Sequence, residues 1–202
     1  MSDNPVLLLV MIFAGAYVFR LWWVDARAAA AGCPNRRALP GARFASVRAC
    51  VIAGVGALLI LVGEVFGELW LGLSEEQSEM TVLFGVYSLS AAFVEELIFR
   101  GFLVVEGRGE LLKWAGAVGA SVAFALAHPF LWEWEEGFRV VLTAKGFFSA
   151  GVVFVLSLWF YVVRFAGFNK SGSLLPCVVG HLVKNIGVIG VKFGQGFLVG
   201  WW

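Results

Sequence analysis

The chain has 202 residues, 60% of them hydrophobic and 14% charged, with 15 Lys and Arg against 14 Asp and Glu for a net charge of +1. So few charges cannot cover a water-soluble domain, where about a quarter of residues carry one, and no basic excess points to nucleic acid. Lipid is the solvent this composition suits: at about 20 apolar residues per crossing, the length accommodates about six helices and no separate soluble domain.

The first apolar segment covers residues 5 to 24, and Met1 to Pro5 ahead of it holds no Lys or Arg. A secretory signal opens on a basic stretch, so this segment is expected to be a retained helix. Arg27, Arg36, Arg37, Arg43 and Arg48 follow it. The second segment, 48 to 69, is followed by Glu68, Glu75, Glu76 and Glu79 without a base. The third, 80 to 105, leads to Arg108 and Lys113; the fourth, 114 to 131, leads to Glu133, Glu135 and Glu136 against Arg139 and Lys145. Arg164 and Lys170 follow the fifth, 147 to 166, and the sixth covers 174 to 192.

Hydrocarbon requires each backbone segment to satisfy its own hydrogen bonds, and the period-two alternation of a barrel is absent, so all six are predicted helices. The result is an all-α polytopic membrane bundle, read as a single membrane domain over 1–202, with 80–192 as its core and 1–79 as accessory helices. Basic residues in loops 1, 3 and 5 place those loops in the cytoplasm and both termini outside, in the plasma membrane. Trp22, Trp23, Trp70, Trp114, Trp132, Trp134, Trp201 and Trp202 fall near predicted ends, where an indole sits between lipid and water; Trp159 does not. Residues 131–146 mix Trp, Phe and Glu and are expected to lie along the outer interface as a short amphipathic piece. Cys33, Cys50 and Cys177 form no paired pattern and are expected to be free thiols.

Charge inside the hydrocarbon costs about 2.5–3.5 kcal/mol per residue on insertion scales and therefore needs a reason. Glu95, Glu96 and Arg100 all lie in the third segment. Glu96 precedes Arg100 by four residues, on the same helix face and in the favourable order for an ion pair. Glu95 points about 100° away and has no cation on its own helix, which makes it a candidate base. The chain's two histidines, His128 and His181, both fall in apolar segments, and Asn185 shares the face of His181. At 1.5 Å per residue from the cytoplasmic charges, Glu95, His128 and His181 lie at depths of roughly 20, 22 and 16 Å, so the three helices are expected to bring one polar cluster together. Lys184 and Glu64 are also buried by this map; Lys184 is expected either to snorkel or to pair, with Glu64 as one candidate partner.

Glu-Glu-x-x-x-Arg at 95–100, Phe-x-x-x-His at 124–128 and His-x-x-x-Asn at 181–185, in that order on three helices, resemble the three motifs of the CPBP family of intramembrane glutamic endopeptidases. That family includes CAAX prenyl proteases and bacteriocin-processing and self-immunity proteins. The resemblance implies that Glu95 and His128 hold and activate a water, that His181 and Asn185 stabilise the oxyanion, and that Glu96 and Arg100 support the site. No cofactor or metal is implied, and the partner is a protein or peptide substrate in the bilayer. No Ser or Cys lies in these motifs, so no covalent intermediate is required. Two other readings stay open: Glu and His are ligand types that zinc or iron accepts, and an immunity or partner-binding protein could use the cluster only to hold its bundle together. A bis-histidine haem site is a remote further possibility.

Overall fold

A computed structural model describes residues 4–134 and 137–202. Six helices are long and apolar enough to cross a membrane: α1 (Pro5–Ala30), α2 (Val47–Leu71), α3 (Val82–Glu96, continued to Phe102), α4 (Glu110–Ala127), α5 (Ala144–Phe165) and α6 (Leu175–Gln195). Local chemistry sets their ends. The side chains of Asn4, Ser46, Thr81 and Thr143 accept hydrogen bonds from the first free N–H groups of α1, α2, α3 and α5. Gly72 and Gly196, with φ of 69° and 82°, close α2 and α6 in the left-handed conformation that glycine adopts without a steric penalty.

Three sequence expectations are corrected. Helix α4 ends at Ala127, so His128 lies just past the helix instead of within it, with extended backbone at φ −84° and ψ 134°. The cause is Pro129, whose ring disfavours the helical region for the residue before it. The stretch expected as one short amphipathic piece is divided: Trp132–Glu133 (β1) pairs antiparallel with Arg139–Val140 (β2), and α5 already begins at Ala144. Glu135 and Glu136 lie outside the described residues. Trp22, expected at the lipid–water boundary, is fully buried, its indole N–H donating to the Pro40 carbonyl at 3.1 Å. Trp159, the indole that fitted no boundary, donates to the Ala53 carbonyl at 3.1 Å and packs between α5 and α2.

Helix α2 packs along α6, α1 along α3 and α4 along α5, with α3 against α6 at the centre. Small residues allow this closeness. A Cβ added at Gly56 would stand 2.2 Å from the Trp159 ring, and one at Gly180 would stand 2.8 Å from Phe160 and 3.1 Å from the Ala53 carbonyl oxygen. Gly56→Ala is therefore expected to destabilise the fold by about 1–3 kcal/mol through overpacking. Thermal unfolding in detergent measures this, and an unchanged midpoint would mean that α2 and α5 can part at no cost.

Charges buried elsewhere find polar partners, Lys192 through the Ser78 carbonyl and the others through ion pairs. Lys184 donates to its candidate partner Glu64 at 2.5 Å, and Lys145 pairs with Glu68. Cys33, Cys50 and Cys177 are free. The chain's last residues return to the start of α3, where Val82 and Leu83 donate their N–H groups to the carbonyls of Gly200 and Trp201 at 3.2 and 2.9 Å.

Candidate active site

The third helix changes its winding where the polar residues sit. From Leu97 to Phe102 it is π-helical, and the N–H of Leu103 bonds Ile98 five residues back at 2.8 Å. In an α-helix that N–H would take the Phe99 carbonyl. Widening the turn frees carbonyls, and side chains of α5 take them: the Tyr161 hydroxyl donates to Phe99 at 2.5 Å, and Arg164 Nε donates to the Arg100 carbonyl at 3.0 Å. Gly101 lets the turn approach the next layer, since a Cβ there would stand 3.0 Å from Pro40. Mid-helix π turns are rare and concentrate at functional sites.

Arg100 is fully buried and held from three sides. Its Nη1 meets Glu96 at 3.1 Å, confirming the intrahelical pair, and its Nη2 donates to the Ser157 hydroxyl at 2.6 Å and the Ser157 carbonyl at 3.0 Å. Ser157 in turn donates to Ser121 of α4 at 2.9 Å. The rings of Phe124, Tyr161 and Phe160 surround the guanidinium at 4.8, 5.0 and 5.4 Å. One arginine thereby connects α3, α4 and α5 by hydrogen bonds and cation–π contacts.

Glu96 also serves the sixth helix. Its Oε1 accepts from His181 Nδ1 at 2.8 Å, while the other ring nitrogen, Nε2, stands 3.7 Å from Glu95 Oε2. That gap is too long for a direct hydrogen bond and short enough for both groups to touch one oxygen atom. Phe160 stacks on the His181 ring at 5.4 Å. One turn further along α6, Asn185 donates to the Ser88 carbonyl of α3 at 3.0 Å, so His181 and Asn185 both face α3 as their spacing implied. Glu95 is partly exposed, with 32% of its side-chain surface accessible, whereas Glu96 and His181 are buried.

His128 joins this group through an aromatic ring. Its centroid lies 4.8 Å from Phe124, and Phe124 lies 6.2 Å from His181. The Phe124 carbonyl, one of the four left unpaired at the end of α4, lies 2.8 Å from His128 Nδ1. A carbonyl only accepts, so Nδ1 carries the hydrogen and Nε2 of the neutral ring is left as an acceptor. Phe130 stacks on the imidazole at 5.7 Å and fixes its plane.

A chain of close approaches thus runs from Arg100 through Glu96 and His181 to Glu95, with His128 bridged to it by Phe124 and Asn185 one turn along α6 from His181. The histidine that approaches Glu95, at 3.7 Å, is His181, a proximity that motif order alone does not disclose. Ser121, Ser157 and Tyr161 were not singled out in the sequence, although Ser157, Tyr161 and Arg164 follow the i, i+4, i+7 spacing of one helix face. Tyr161→Phe is expected to leave the Phe99 carbonyl without its partner and to cost about 1–3 kcal/mol. Unfolding of the purified variant against the wild type measures it.

The family model for the type II CAAX prenyl endopeptidase Rce1-like proteins matches residues 77–187, more than half of the chain and a range that holds all seven motif residues. No curated protein and no solved structure matches the chain.

Proposed function

Because the chain belongs to the type II CAAX prenyl endopeptidase Rce1-like family, and so is an intramembrane endopeptidase of the CAAX type, we propose that it works by a glutamic mechanism centred on Glu95. The observation that carries this reading is the approach of Glu95 to His181, itself oriented through Nδ1 by the buried Glu96–Arg100 pair. A partly exposed carboxylate beside a fixed imidazole is a base with access to both water and substrate.

In this reading Glu95 removes a proton from a water that also hydrogen-bonds His128 Nε2. The resulting hydroxide forms a C–O bond to the scissile carbonyl, and the C=O electron pair moves onto oxygen. His181 and Asn185 stabilise that oxyanion in a medium where few other dipoles compete. For Nε2 to donate there while Nδ1 donates to Glu96, the imidazole must carry both hydrogens, and two carboxylates flank it to balance that charge. Glu95 then passes its proton to the amine nitrogen as the C–N bond breaks, which returns the carboxylate. Loops 1, 3 and 5 face the cytoplasm in this proposal, both termini lie outside, and the membrane is the plasma membrane.

Terminal proteomics of membranes carrying wild-type protein or Glu95→Gln tests the assignment, together with cleavage of a prenylated CAAX-type reporter peptide by each purified form. The expected result is a membrane-associated substrate trimmed only by the wild type. Equal trimming by a stably folded Glu95→Gln protein would overturn it.

A further inference from the structure

Away from the site, the connection between α1 and α2 carries more order than a loop needs for topology alone. Asp25 accepts from Asn35 Nδ2 at 3.1 Å and from the Leu39 N–H at 2.9 Å, and Trp22 donates to the Pro40 carbonyl. The α5–α6 connection locks onto it: Leu174 N–H donates to the Gly41 carbonyl at 3.1 Å, and the Ser173 hydroxyl donates to the Arg43 carbonyl. Two loops remote in sequence therefore form one fixed surface.

Its cations meet no carboxylate, and Arg43 Nη1 donates only to the Ser171 carbonyl, at 3.4 Å, among the described residues. Arg27, Arg36, Arg37, Arg43, Arg48 and Lys170 are all exposed, and none lies within ion-pair distance of a carboxylate among the described residues. The carboxylate within the α1–α2 loop region, Asp25, is occupied by the loop's own hydrogen bonds. Arg48 sits in the first turn of α2, which has no acidic residue, so the helix dipole opposes this charge instead of favouring it. Between the end of α1 and the start of α2 lies a concavity of about 370 Å³ walled by Ala29, Ala30, Pro34, Arg43 and Phe44. Phe44 packs edge-on against Trp23 at 5.0 Å, and both rings are partly exposed, a composition suited to the level where headgroups meet acyl chains.

We propose that this surface binds the phosphodiester headgroup of an anionic phospholipid, with Arg43 in the wall of the concavity and the neighbouring cations around it. An arginine fork fits the phosphate oxygens, the small apolar residues accept the glycerol backbone, and Trp23 with Phe44 accepts the first part of the chains. Fixed loops hold the arginines in place before the lipid arrives, which reduces the ordering cost of binding.

The test is native mass spectrometry of the purified full chain after incubation with an equimolar mixture of phosphatidylglycerol and phosphatidylcholine. Wild type is expected to retain phosphatidylglycerol preferentially. Arg43→Gln should reduce that preference about fivefold, and Arg43→Gln with Arg48→Gln should reduce it by roughly the square of that factor. Arg108→Gln, a basic residue of the α3–α4 connection, should leave it unchanged. Equal retention of both lipids by wild type, or an undiminished preference in a folded double variant, would overturn the proposal. So would complete displacement by inorganic phosphate at equal concentration, since the site would then hold a free anion. Peptide cleavage does not enter the readout, so the outcome is independent of the catalytic assignment.

Discussion

Glu95→Gln is expected to lower peptide cleavage by about 10²–10⁴-fold, the range that a positioned general base contributes, with little change in thermal stability. The substitution keeps the shape of the side chain and removes only its ability to take a proton. Among the described residues Glu95 accepts no direct hydrogen bond within 3.5 Å, and its approach to His181 Nε2 is 3.7 Å. A parallel measurement of cleavage and unfolding separates the two roles. If stability fell while residual cleavage per folded molecule stayed at the wild-type level, Glu95 would be a structural residue. An immunity or partner-binding protein using the cluster only for packing predicts the loss of stability with no cleavage by either form.

Arg100 carries the largest expected structural effect. Arg100→Met should cost about 3–5 kcal/mol, because it removes one member of a buried ion pair and leaves the buried Glu96 carboxylate with His181 as its remaining partner. The hydroxyl and carbonyl of Ser157 lose their donor as well, so α5 keeps only its Tyr161 and Arg164 bonds to the π turn. Arg100→Lys should not recover the loss, because a single ammonium cannot reproduce the fork that reaches Glu96 and Ser157 together. The double variant Glu96→Gln with Arg100→Met should unfold at a temperature closer to wild type, since no lone buried charge remains. Its cleavage should stay low, because the neutral amide no longer holds His181 through a charged hydrogen bond. Thermal midpoints of the three variants in one detergent decide this, and a Arg100→Met protein as stable as wild type would show that Glu96 is reached by water.

Much of the site was legible because intramembrane charge is expensive and therefore conspicuous. Glu95, Glu96, Arg100, His128, His181 and Asn185 stood out against apolar segments, and the four-residue spacings of Glu96 with Arg100 and of His181 with Asn185 put each pair on one face whatever the surroundings. The need of Lys184 for a partner or a route to the surface followed from the same cost, and the partner is Glu64. Serine and tyrosine carry no such penalty inside a helix bundle, so Ser121, Ser157 and Tyr161 gave no comparable signal although they anchor Arg100 and its turn. Trp22 misled for a related reason: an indole suits an interface and a buried pocket equally when one carbonyl is available.

By itself the sequence determined the solvent, the helices that span it and the residues whose burial demands an explanation, because those depend on composition and on spacing within one segment. Only the tertiary structure decided that His181 lies between the two carboxylates and that the third helix widens where α5 reaches it. Those features depend on which side chains from separate helices meet at distances of a few ångströms. No periodicity within a single segment encodes the rotation and depth of its neighbours.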